Sequence, residues 1–428
     1  MAGKATLESS VDITRRDLLG GIAAIGAGAL FPSIIRARDR KVTLRVLGTH
    51  VTLQEPIRRQ AEQDLGIDIE FEPGGSAQVL LRATTNPESF DLYEQWSDST
   101  RVLWRADAIQ SIDTRRLKYW EEINPLSKTG RISPGASPGA GDVPNTILYV
   151  QPDGRLGPEP SREISFLPYV HNVDSFGYNS DVIAVGEPYV EESWGWLLDP
   201  KHSGRVALVN APSIGIFDLA LAARARGLID FADIGAMTAD EVDALFEIAI
   251  DYKLNNHFRA FWRSVPDSAD LMLSGDVHIA SMFSPGVTMV RSAGLPCLYA
   301  APREGYRAWH GVMCMSRACS GEQQDAAYAF MNWWLSGWAG AFIARQGYYI
   351  SNPERSRPFM ESDEWGYWYE GLPAERPMPG PDGRIAVEPG EVRRGGSYVE
   401  RFENIAVWNT VMPTYDRTVR RWSELVLA

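Results

Sequence analysis

This chain predicts an α/β fold with a parallel sheet flanked by helices, organised in two domains or two lobes, and three observations carry that expectation. Residues 41–96 alternate strand-like and helix-like apolar patterns. The 428 residues exceed what a single core organises, since cores stop growing at about 250–300 residues. With 44% hydrophobic and 23% charged residues, the composition is that of an ordinary globular protein with ample core.

The first residues read apart from the rest. Arg15 and Arg16, followed by Leu18 and Leu19, run into an uncharged stretch of small and apolar residues that ends at Phe31. This resembles a twin-arginine export signal, and its apolar run is too short for the roughly 20 residues a stable membrane helix needs. Glycines between Gly20 and Gly28 argue against a core helix. Residues 1–37 are therefore expected to be an export signal cut near Arg36-Ala37, with a retained anchor as the alternative. The protein would then work in the periplasm, after passage through the twin-arginine machinery.

Lys41 to Gly48 alternates apolar residues and reads as a strand leaving the core. Pro56 to Leu65 follows as a helix, with proline at its start and Gly66 as its stop. Ile67 to Phe71 is a second strand, Gln78 to Ala83 a helix, and Phe90 to Trp96 a third strand. This β-α-β-α-β order implies a parallel sheet covered by helices, whose ligands bind beyond the carboxyl ends of the strands. The stretches 127–162 and 372–396 are crowded with Pro and Gly and read as long surface loops.

Removing residues 1–37 takes away four positive and three negative side chains, so the formal charge moves from −13 to −14 and nucleic acid is not expected as a partner. Three cysteines allow at most one internal bridge. Cys314/Cys319 is the best-spaced pair, although small buried thiols are the commoner outcome. No P-loop, nucleophile elbow or paired-histidine zinc motif occurs, so no catalytic residue, cofactor or metal is expected.

The informative stretch begins at Ile164. Pro168-Tyr169, Gly177-Tyr178-Asn179, Ser193-Trp194, Leu197, Pro200 and Gly204 occur in order, followed by Ser274-Gly275-Asp276-Val277. Pro302 to Gly305, Trp309 to Met315, a helix over Asp325–Ser336 and Gly347 to Asn352 complete the series. Over residues 41–352 this pattern resembles the periplasmic solute-binding receptors of ABC transporters, above all the spermidine/putrescine-binding branch. The resemblance implies a type II two-lobe binding protein with a crossover hinge. Lobe 1 would comprise 38–173 plus 311–350, and lobe 2 would comprise 174–310 plus 351–428.

It further implies a monomer that closes on a small ligand and docks on an inner-membrane permease with its ATPase. Carried onto this chain, the ligand contacts fall at Thr49, His50, Gly75, Ser76, Trp96, Ser97 and Asp98 in lobe 1. The hinge presents His171, Asn172 and Asp174, and lobe 2 presents Asn210, Ser213, Phe283, Ser284, Trp309 and His310. An amine ligand needs carboxylates for its charge and aromatic faces for its ammonium and methylene surface. The aromatic side is supplied by Trp96, Phe283 and Trp309, and the acidic side by Glu94, Asp98 and Asp174. Positions where polyamine receptors carry further acids read Pro212, Gly215 and Gly311, so a smaller or singly charged amine fits better than spermidine.

Three alternatives stay open. His50, His171 and His310 with Glu94 or Asp98 would make a metal or anion site of the same fold. A secreted, cofactor-containing enzyme would need a constellation that is not found, and a sensory or scaffolding use would keep the same binding fold. The helix stripe Phe330, Trp333, Trp334 and Trp338 reads as packing.

Overall fold

The computed structural model describes residues 41–380 and 383–428. The export signal expected at residues 1–37 lies outside the described residues. At the centre run two long antiparallel strands, Leu167–Asn179 and Tyr306–Ser316, in which every residue is buried. On one side, Leu92–Trp96 pairs antiparallel with Tyr306–Ser316, and Thr43–Gly48 and Asp68–Pro73 extend the sheet in parallel. On the other side, Ile279–Met282 pairs antiparallel with Leu167–Asn179, and Val206–Val209 and Phe258–Trp262 again continue in parallel. The expected parallel order thus holds within each lobe, and an antiparallel pair joins the lobes.

Local sequence explains the elements. Helix Glu55–Leu65 has proline in its first turn, buries Ile57 and Ala61 one turn apart, and ends at Gly66 with φ 69°. Helix Ser76–Thr85 repeats the spacing with Val79 and Ala83. Helices Ala239–Leu254 and Val265–Leu273 are each opened by a capping box, Thr238 with Glu241 and Ser264 with Asp267.

Two large cores result. One gathers Leu44, Tyr93, Val170 and Trp334, the other Phe176, Trp194, Phe246 and Trp422. The stripe Phe330, Trp333 and Trp334 packs within the first core, with Trp338 partly buried against it.

The Pro- and Gly-rich stretches lie mostly at the surface, as expected, but they are not plain loops. Within 127–162, Ile147, Leu148 and Tyr149 are buried. Tyr149–Val150 and Leu156–Gly157 join Glu163–Ile164 and Ile112–Asp113 in a small antiparallel sheet. Apolar residues hidden among the prolines pay for this order. Within 372–396, Met378–Pro379 pairs with Ile385–Val387, while Arg393 is buried over the rings of Tyr349 and Trp368. Arg394 pairs with the buried Glu192 at 2.8 Å. Cys297, Cys314 and Cys319 are buried free thiols, so the Cys314/Cys319 bridge is not formed.

Candidate ligand-binding site

In a β-strand successive side chains point to opposite faces, and this alternation assigns the central pair. The register sets Arg307 opposite Asp174, Ala308 opposite Val173, Trp309 opposite Asn172 and His310 opposite His171. Asn172, Asp174, Arg307 and Trp309 therefore share one face, and His171, Val173, Ala308 and His310 share the other.

The first face borders a narrow, nearly closed cavity of about 10 Å³, lined by Val51, Trp96, Asp174, Ile214, Phe283, Trp309, Tyr348 and Asn409. Both sides of the sheet contribute, since Trp96 ends the strand beside Tyr306–Ser316 and Phe283 follows Ile279–Met282. The aromatic walls are held in edge-to-face contacts, Trp309 on Tyr348 and Phe283 on Trp262, each with ring centroids 5.2 Å apart. Gly347, at φ 82°, permits a close approach behind Tyr348, where a Cβ would stand 2.0 Å from Ser284 Oγ. A broader, more open cleft lined by Arg101, Asp142, Asp233 and Thr410 lies alongside, and the consecutive residues Asn409 and Thr410 border the two spaces.

Asp174 belongs to a buried ionic cluster. Arg307 Nε donates to Asp218 Oδ1 at 2.7 Å, and Arg307 Nη1 lies 3.5 Å from Asp174 Oδ2 and donates to Asn409 Oδ1 at 3.2 Å. All three charged side chains are at most 1% exposed. Burial pushes the Asp174 carboxyl up to about 6 against the pull of Arg307, and burial raises Asp218 as well. Asn172 Nδ2 donates to Asp174 Oδ1 at 3.2 Å, and the Tyr299 hydroxyl lies at the same distance. The Arg307 guanidinium also sits 5.8 Å from the centroid of the Phe283 ring.

The opposite face is a packed polar core. The rings of His171 and His310 lie 5.1 Å apart, with His171 Nε2 2.7 Å from the Tyr398 hydroxyl and His310 Nε2 2.8 Å from Ser127 Oγ. Burial lowers His310 to about 4 and, with His310 alongside, holds His171 well below its ordinary value. The alternation thus carries both rings away from the cavity, and His50 is exposed and outside the lining. Among the described residues no group of three or more His, Cys, Asp or Glu side chains is placed to hold a metal ion. The proposed histidine metal site is not assembled.

The other expected contacts divide. Trp96, Asp174, Phe283 and Trp309 line the cavity together. Thr49 is turned inward, where its backbone N–H and hydroxyl donate to Glu94 Oε2 at 2.9 and 3.2 Å. Gly48 permits this contact, since a Cβ there would stand 2.6 Å from the same carboxylate. Glu94 is thereby consumed as a strand-end clamp, its carboxyl raised by burial. Ser97 and Asp98 lie buried in a short turn outside the lining, and burial with Asp142 nearby pushes Asp98 up to about 7.

Gly75 and Ser76 open a helix, and the Ser76 carbonyl accepts from Gln95. Asn210 Oδ1 accepts from Trp422 Nε1 at 2.9 Å, while Ser213 lies in the first turn of helix Pro212–Ala225. Ser284 opens helix Ser284–Ser292 beside Gly347. Outside the expected set stand Val51, Ile214, Tyr348 and Asn409 in the lining and Arg307, Asp218 and Tyr299 behind it. Arg307 was within reach of sequence reasoning, being two residues before Trp309 on one strand, and Tyr348 follows the matched Gly347. Asn409 carries no signal, because it lies beyond the recognisable stretch.

The model of the bacterial extracellular solute-binding protein family matches residues 57–365. No curated protein matches the chain. Among solved structures, the spermidine/putrescine ABC transporter substrate-binding protein PotD of Streptococcus pneumoniae superposes with TM-score 0.60 at 14% identity, covering 90% of this chain and 98% of its own. The Tp0655 (TpPotD) lipoprotein of Treponema pallidum gives TM-score 0.62 at 12% identity, covering 90% and 100%. The binding protein MotA of A. tumefaciens B6, solved with glucopine, gives 0.56 at 13% identity, covering 90% and 99%. At these identities the likeness is one of fold.

Proposed function

This chain belongs to the bacterial extracellular solute-binding proteins, and from that premise we propose that it captures a small amine-bearing solute between its lobes and delivers it to an ABC permease and its ATPase. The observation that carries the amine is Asp174, a buried carboxylate on the wall of a cavity whose aromatic lining is Trp96, Phe283, Trp309 and Tyr348. An ammonium group gains there a charge partner and π faces, the latter worth about 0.5–2 kcal/mol each. The cavity is far below the roughly 300–1,000 Å³ of ordinary ligand pockets, so a solute enters only when the lobes part. PotD, a spermidine/putrescine transporter's binding protein by name, and MotA, solved with glucopine, supply precedent for such solutes in this fold.

The protein acts as a monomeric receptor in the periplasm, exported by the twin-arginine route, and closes by bending at Leu167–Asn179 and Tyr306–Ser316. It turns over nothing. Among the described residues no helix is long and apolar enough to cross a membrane. The test is thermal unfolding of the purified protein with small amines, polyamines, quaternary ammonium compounds, organic acids and divalent or ferric ions. A ligand at 1,000 times its Kd adds about 4 kcal/mol of apparent stability. A saturable shift with an amine supports the reading; shifts confined to anions or metals, or conversion of a bound compound to product, would end it.

A further inference from the structure

The cavity has a second end whose chemistry differs from that of Asp174. Asn409 Oδ1 is the only acceptor the Asn409 amide can offer to Arg307 Nη1, so its Nδ2 group points away from the guanidinium. Among the described residues, Asn409 Nδ2, the Tyr348 hydroxyl and Trp96 Nε1 have no hydrogen-bond partner, and all three side chains line the cavity. The lining therefore offers one carboxylate and several unengaged N–H and O–H donors.

Charge sets the other limit. Asp174 and Asp218 outnumber Arg307 by one, and the three side chains are at most 1% exposed. A ligand with a single positive charge neutralises that excess. A ligand with an added carboxylate restores it in a site where uncompensated charge is costly. A second ammonium finds no second carboxylate in the lining.

We propose that the site is specific for a monocation whose far end is a neutral hydrogen-bond acceptor, such as an amino alcohol or amino amide, with the ammonium on Asp174 and the acceptor on Tyr348, Asn409 and Trp96. This refines the amine reading above and rests on it. Diamines are rejected because their far ammonium lacks a carboxylate to compensate its charge. Simple alkylamines bind more weakly because the donors stay unmade. Buried donors left unmade are the kind of mismatch that binding sites discriminate against most strongly.

The test is titration calorimetry of the purified protein with a series sharing one four-carbon spine: butylamine, aminobutanol, aminobutanamide, diaminobutane and aminobutyrate. Aminobutanol or aminobutanamide is expected to bind at least about tenfold more tightly than diaminobutane and several-fold more tightly than butylamine. In Tyr348→Phe, which keeps the ring and removes only the unpartnered hydroxyl, the preferred ligand is expected to lose about threefold to tenfold while butylamine is unchanged.

Tightest binding of diaminobutane overturns the proposal and leaves the amine reading standing, as does tightest binding of aminobutyrate. Equal affinity for butylamine and aminobutanol removes the donors from recognition and overturns it too. If no member binds, the amine reading itself fails, and the proposal falls with it.

Discussion

The two faces of the central strand pair are built from alternate residues of the same two segments, yet they do opposite work. On the cavity face, Asp174 and Arg307 are charged, buried and incompletely paired; Arg307 Nη2 and Asn172 Oδ1 have no hydrogen-bond partner. On the other face, His171 and His310 are neutral, ring-packed and tied to Tyr398 and Ser127, with His171 Nδ1 left unpartnered. Polarity alone does not mark a binding surface. What distinguishes the cavity face is buried charge whose pairing is incomplete.

The largest test of this contrast is Arg307→Met. It strands two buried carboxylates and is expected to cost about 3–5 kcal/mol in denaturant unfolding; a loss below about 1 kcal/mol would show that the cluster is not an ionic unit. Next comes the histidine face. In the unfolded chain a histidine takes up a proton near pH 6.5, whereas folded His310 waits until about 4. The unfolded state binds more protons between these values, so stability is present above pH 6.5 and is lost as pH falls toward 4. His310→Gln is expected to flatten that slope by about 1–3 kcal/mol while leaving ligand affinity within about twofold. A large affinity change would bring the back face into the site.

Asp174→Asn should weaken amine binding at least about tenfold, or 1.4 kcal/mol, with calorimetry as the readout. Because Asp174 titrates at about 6, wild-type affinity should decline as pH falls through that value, and the Asn variant should show no such decline. Persistence of the decline would assign it to another group. The smallest effect is expected for Ser127→Ala, which removes a partner of His310 and should cost about 1 kcal/mol of stability with no change in affinity.

Much of the fold was legible. The strands and helices of residues 41–96 appear where alternation and proline placed them, and the four cavity residues Trp96, Asp174, Phe283 and Trp309 were named from family likeness. Thr49 and Glu94 misled because a strand-end polar residue reads the same whether it faces a ligand or clamps a neighbouring strand. Ile147, Leu148 and Tyr149 misled because the prolines around them masked a short apolar run.

By itself the sequence determined what is local: the period of each strand and helix, the helix caps, and which residues of one strand share a face, since these follow from backbone geometry over a few residues. Tertiary structure alone decided which face became the cavity. His171 is enclosed by Tyr398, 227 positions away, His310 by Ser127, 183 away, and Arg307 is oriented by Asn409, 102 away. A polar side chain becomes core or binding surface according to whether such distant partners reach it, and no local pattern records which of them will.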